Sequence, residues 1–198
     1  ALLTELRRRG KQLLGELPKR VEAEMQRVAA GKNADNLYYL LLWYAEVLEE
    51  TGQYPACLQT LQVAYKLLES NKIHLTELKL AEFLNQLGSA FHDNGYYAEA
   101  EPLCRRALAI WEKQLGEDHP QVATALNNLA LLLDTQGKLA EAEPLFRRAL
   151  AIGEKQLGED HPQVALGFNN LANLLRDQGK LAEAEPLQIG RASCRERV

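Results

Sequence analysis

The chain has 198 residues, 46% hydrophobic, 25% charged and 7% aromatic, with a formal net charge of −4 at pH 7. No apolar run approaches the roughly 18–20 residues of a membrane span, and three cysteines are too few for a disulfide framework, which points to a reducing, cytoplasmic setting. Residues 33–188 carry twelve basic against twenty-two acidic side chains; such an acidic body repels phosphate backbones and argues against nucleic-acid partners.

Residues 1–36 fit no repeat and are expected to form one or two helices packing on the first hairpin of an array. Ala1 to Arg9 scatters charge among helix formers, unlike a signal peptide, and Arg7, Arg8 and Arg9 read as a solvated helix face. The array begins at residue 37 and divides at about 37–75, 76–119, 120–161 and 162–187, the last unit incomplete. The stretch 98–123, AEAEPLCRRALAIWEKQLGEDHPQVA, recurs at 140–165 with changes only at Cys104/Phe146 and Trp111/Gly153. Gly95, Gly137 and Gly179 stand 42 residues apart, as do Pro102, Pro144 and Pro186.

Within the third unit Leu126, Leu129, Ala130 and Leu133 follow the i, i+3, i+4, i+7 spacing of a buried helix stripe. Gly137 then supplies a left-handed residue to end that helix. A second stripe runs through Leu139, Ala142, Leu145, Phe146, Ala149 and Ile152, with Pro144 early in the helix, where a missing N–H costs least. Asp160-His161-Pro162 opens the next unit with a capping residue and a proline suited to a first turn. Each unit is one helical hairpin that cannot cover its own apolar face, so stacking is expected.

The copy breaks after Leu187. The register predicts Phe-Arg-Arg-Ala-Leu-Ala-Ile, but the chain reads Gln188-Ile189-Gly190-Arg191-Ala192-Ser193-Cys194, placing a glycine in mid-helix at a cost of about 1 kcal/mol. The final segment IGRASCRERV resembles a translated sequencing adapter, so residues 188–198 are expected to be a non-native tail, and the chain, which starts at Ala1, a fragment.

A set made up mostly of small residues recurs at matching spacings: Ala130, Gly137, Ala142, Phe146 and Ala149 in the third unit, Gly88, Gly95, Ala100, Cys104 and Ala107 in the second, and Ala45, Gly52, Cys57, Leu61 and Ala64 in the first. On these residues, and on the NNLA, EAEPL, RRALAI and LGEDHP segments, residues 37–187 resemble tetratricopeptide repeats of the kinesin-light-chain-like branch. HEAT and armadillo repeats lack this small-residue set. The resemblance implies an all-α, right-handed superhelical solenoid of antiparallel helical hairpins. It also implies a protein-interaction scaffold whose first helices line a concave groove for a peptide or partner segment.

In that register the groove positions are Asn85, Ser89 and His92 in the second unit, Thr124, Asn127, Leu131 and Asp134 in the third, and Asn169, Asn173 and Arg176 in the fourth. Asn85, Asn127 and Asn169 form a ladder at a spacing of 42. Carboxamides offer both donor and acceptor to an extended backbone, although the same ladder would serve to hold neighbouring helices in register. Asn128 and Asn170, beside it, are expected to face the adjacent helix. The ladder occupies positions where the family's carboxylate-clamp lysines would stand, which argues against recognition of that type.

No constellation points to catalysis, a metal or a cofactor, so an enzyme is not expected. Cys57 and Cys104 fall at core positions, His119 and His161 read as turn and capping residues with Asp118 and Asp160, and the pair Glu141/Glu143 reads as a solvated face. Two other readings of the whole chain remain: the sensor or oligomerisation region of a larger signalling ATPase or regulator, and a spacer that self-associates through its exposed terminal repeat.

Overall fold

The structure is a computed structural model that describes residues 35–70, 75–158 and 161–187, with isolated helical positions at Lys19, Ala23, Gln26 and Arg27. The expected N-terminal packing helices and the tail at 188–198 therefore lie almost wholly outside the described residues. Among the described residues every regular element is an α-helix, as the apolar spacing requires. The chain divides into two compact units, residues 1–75 and 76–198.

In the first unit, α1 (Asp35–Glu50) and α2 (Tyr54–Glu69) pack as a hairpin around buried Tyr38, Leu41, Ala45, Leu48, Leu61 and Ala64. The turn is made by Gly52 at φ +74°, after which the Gln53 N–H donates to the Leu48 carbonyl at 2.8 Å. This 6→1 bond satisfies a carbonyl that the helix end would otherwise leave open.

The second unit holds two full hairpins, α3 (Glu77–Asp93) with α4 (Tyr97–Leu115) and α5 (Pro120–Thr135) with α6 (Leu139–Leu157), followed by α7 (Pro162–Asp177) and helical residues 181–187. Each hairpin turn repeats the same closure. Gly95, Gly137 and Gly179 have φ between +75° and +82°, and the N–H groups of Tyr96, Lys138 and Lys180 reach Phe91, Leu133 and Leu175. Within hairpins α3 packs on α4 and α5 on α6; between them α4 packs on α5 and α6 on α7, while α3 also touches α5 and α5 touches α7. The first helices thus run side by side in one layer and the second helices in another, the all-α solenoid that the repeat implies.

Helix crossing explains the small residues. A Cβ on Gly88 would lie 2.5 Å from the Cys104 sulfur, so α3 and α4 approach as closely as they do only because Gly88 has no side chain. Cys104 is 3% exposed and burial pushes its thiol up to about 11, so it is a core residue and a poor nucleophile.

Three local expectations are refined by the geometry. At α5 and α7 the cap is the histidine ring itself, His119 Nδ1 and His161 Nδ1 each accepting from the backbone N–H two residues on at 3.2 Å, with Pro120 and Pro162 at the first helical position. Asp118 instead pairs with Lys155 of the same hairpin's second helix, which holds its carboxyl below the usual range. Pro144 is not in the opening turn; it sits sixth in α6, inside the helix and exposed, where it forgoes one ladder bond.

The acidic pair is also more than a solvated face. Glu143 is only 16% exposed and accepts from Arg147 at 2.9 Å and from Lys180 at 2.6 Å, while Arg147 reaches Glu183 at 2.8 Å. One repeat earlier Glu101 accepts from Arg105 and Lys138 at 2.8 Å each, and Arg105 reaches Glu141 at 3.4 Å. Within the second unit the two ion networks tie the α3/α4 hairpin to α5/α6, and α5/α6 to Lys180 and Glu183 after α7, at a spacing of 36–37 residues.

Candidate functional site

The layer of first helices presents all ten candidate groove residues with part of their surface uncovered. Asn85, Ser89, His92, Asn127, Leu131, Asp134, Asn169 and Asn173 are half-buried, and Thr124 and Arg176 are exposed. Alternating with them, Leu84, Leu87, Leu126, Leu129, Leu171 and Leu175 are buried. Helical periodicity therefore turns one stripe into the core and leaves a mostly polar stripe part-exposed on α3, α5 and α7.

Those stripes are joined by a diagonal rule. Asn128 Nδ2 donates to Asn85 Oδ1 at 3.2 Å, and Asn170 Nδ2 donates to Asn127 Oδ1 at 3.0 Å, both across 43 residues. At the other end of the layer His92 Nε2 meets Thr135 Oγ1 at 3.2 Å across the same 43 residues. Asn85 and Asn127 thus hold neighbouring first helices together through one carboxamide oxygen each. Among the described residues the Nδ2 groups of Asn85 and Asn127 make no hydrogen bond, so each keeps its donors for another partner. The expectation that Asn128 and Asn170 face the adjacent helix agrees with this pairing; the sequence spacing did not show that their partners are the ladder itself.

The fourth diagonal pair is mismatched. Asp134 and Asp177 stand in the relation that joins His92 to Thr135, but both are carboxylates. Burial and the Asp177 charge push the Asp134 carboxyl above its ordinary range. Nearby, Arg176 Nη2 donates to Asn173 Oδ1 at 2.5 Å, so the fourth unit's groove candidates interact with one another.

Between α5, α6 and α7 lies a cavity of about 220 Å³ whose lining includes Thr124 and Asn127 of the candidate stripe. Its mouth is edged by Leu157 and Leu166, 36% and 56% exposed. Neither Leu166 nor Gly153, on the cavity wall, stands out as a site from sequence, although the Trp111/Gly153 difference is visible there. Among the described residues no group of three or more His, Cys, Asp or Glu side chains is placed to hold a metal ion, and no helix is long and apolar enough to cross a membrane.

A tetratricopeptide repeat family model matches residues 79–155 and 135–188, more than half of the chain. Among solved structures, a kinesin light chain with nearly identical TPR-like repeats from Podosopora anserina superposes with a TM-score of 0.74 at 24% identity, covering 98% of this chain and 92% of that one. BtubC (BKLC) from P. vanneervenii gives 0.71 at 20% identity over 98% and 88%. The Rap conjugation gene regulator of plasmid pLS20, in complex with the Phr* peptide, gives 0.66 at 22% identity over 79% of this chain and 42% of that one. A comparison with curated proteins gave no match.

Proposed function

The chain belongs to the tetratricopeptide repeat family, and on that footing we propose that it is a non-catalytic interaction scaffold that holds an extended partner segment along the first-helix layer. The observation that carries this reading is the pair of uncommitted carboxamide donors at Asn85 and Asn127, aligned one repeat apart on a half-exposed stripe. An extended backbone offers carbonyl acceptors along its length, so successive repeats can hold it with little regard to side chains. Ser89, Thr124, Leu131 and the carboxylate of Asp134 would set preferences between sequences, the last favouring a basic side chain. A likeness in fold to a regulator solved with a bound peptide adds support of a general kind. Each contact is modest, so affinity would accumulate over repeats.

The test separates the groove role from the packing role. Asn85→Asp with Asn127→Asp keeps the oxygen that accepts from Asn128 and Asn170 but replaces the outward donor with an acceptor. Peptides selected from a displayed random library on the full chain should bind the double variant at least tenfold more weakly, with helicity unchanged. Equal affinity for the variant would reject the groove reading.

A further inference from the structure

We infer that the cavity between α5, α6 and α7 is a binding site for a free, neutral bicyclic aromatic molecule of about indole size. Two nearly identical stretches of chain, 98–123 and 140–165, differ at one wall position. In α4 that position is Trp111, 4% exposed; in α6 it is Gly153. Three residues lining the later space, Ala149, Leu150 and Val164, correspond one repeat earlier to Ala107, Leu108 and Val122, all buried as Trp111 is. The same set of residues therefore accompanies a buried indole in one repeat and an open space of about 220 Å³ in the next.

Backbone geometry does not ask for glycine there. Gly153 lies inside α6 and Gly167 inside α7, and neither has a positive φ. An interior helical glycine costs about 1 kcal/mol relative to alanine, and two such residues face one cavity. The counterpart of Gly167 is Ala125, and that of exposed Leu166 is Thr124, so the later repeat is both emptier and more apolar at its mouth. An apolar cavity of about 150 Å³ is large enough to take up benzene from water.

The lining also fixes the ligand's character. None of the residues lining the cavity is ionisable, which selects for a neutral molecule. Asn128 lines it, and its Nδ2 donates to Asn85, leaving Oδ1 as an acceptor for one N–H. Trp111, tethered to its helix, buries Nε1 without a partner; a free ring can turn its N–H toward Asn128. The cavity shares Thr124 and Asn127 with the proposed groove, but Gly153 lies on α6 outside that stripe, so Gly153→Trp tests the cavity with both groove asparagines intact.

Indole itself is the probe. Calorimetric titration of the full chain should show one saturable equivalent, which Gly153→Trp should weaken at least tenfold by filling the space. Trp111→Gly should open a second space and raise the stoichiometry from one to two; if that variant does not fold, the Gly153→Trp titration decides alone. No saturable binding by the unaltered chain, undiminished binding by folded Gly153→Trp, or a single equivalent in folded Trp111→Gly would each overturn the assignment. Tighter binding of N-acetyl-tryptophanamide than of indole would also overturn it, by reassigning the site to a peptide side chain.

Discussion

Gly137 and Asp134, three residues apart, show how differently single positions are legible. The glycine's role follows from its place after an apolar stripe, and its φ of +75° agrees. A Cβ there meets nothing within 4 Å, so the cost of Gly137→Ala is conformational alone: about 1–2 kcal/mol, measurable as a shift in the urea midpoint. Asp134 is legible only as a surface acid in helical register, because its burial and its neighbour Asp177 come from the next repeat. With its carboxyl pushed upward, ionisation favours the unfolded chain, so its contribution to stability falls as pH rises through its titration. Asp134→Asn is therefore expected to stabilise the chain at pH 7, by about 0.5 kcal/mol, and to have no such effect at pH 3, below the ordinary carboxyl value. Stabilisation at both pH values would point to a cause other than charge.

At the scale of elements, existence and type are legible in the sequence and the links between them are not. Periodicity identifies each helix of the third unit, and glycine identifies the turn, because both signals are local. The ion networks span 36–37 residues and emerge only when hairpins stack, which is why Glu143 reads as a solvated residue. Lys138 and Arg105 hold the Glu101 carboxyl down at about 2 from an ordinary 4.5. A depressed carboxyl contributes stability that is present above its unfolded value and is lost as pH falls from 4.5 to about 2. Because the lysine is 41% exposed and solvent screens it, Lys138→Met should cost under about 1 kcal/mol at pH 7, less in high salt and nothing near pH 2. Chemical denaturation at the two pH values reads this directly. Gly153→Ala tests the neighbouring interface: helix propensity gains about 1 kcal/mol, reduced because the new Cβ would meet a Val164 methyl at 3.2 Å. A small rise in Tm is expected, whereas a fall would mean that α6 and α7 cannot yield by the few tenths of an ångström required.

For the whole molecule, the repeat by itself decides the fold, since a 42-residue self-copy with two apolar stripes admits little besides stacked hairpins. The candidate groove is legible as a face but not as chemistry. All ten candidates keep part of their surface uncovered, yet the register does not show that Asn85 and Asn127 each commit their oxygen to the next repeat and keep their donors. Nor does it show a cavity, because a Trp-to-Gly difference becomes a space only once three helices surround it. The central claim is that a partner segment lies along the first helices rather than on the second-helix layer, where the ion networks run. The most direct measurement is photo-crosslinking of a library-selected peptide carrying a benzophenone, with the attachment sites mapped by mass spectrometry. Attachment to α3, α5 and α7 near Asn85, Asn127 and Leu131 is the expected result; attachment concentrated on the exposed faces of α4 and α6 would contradict it.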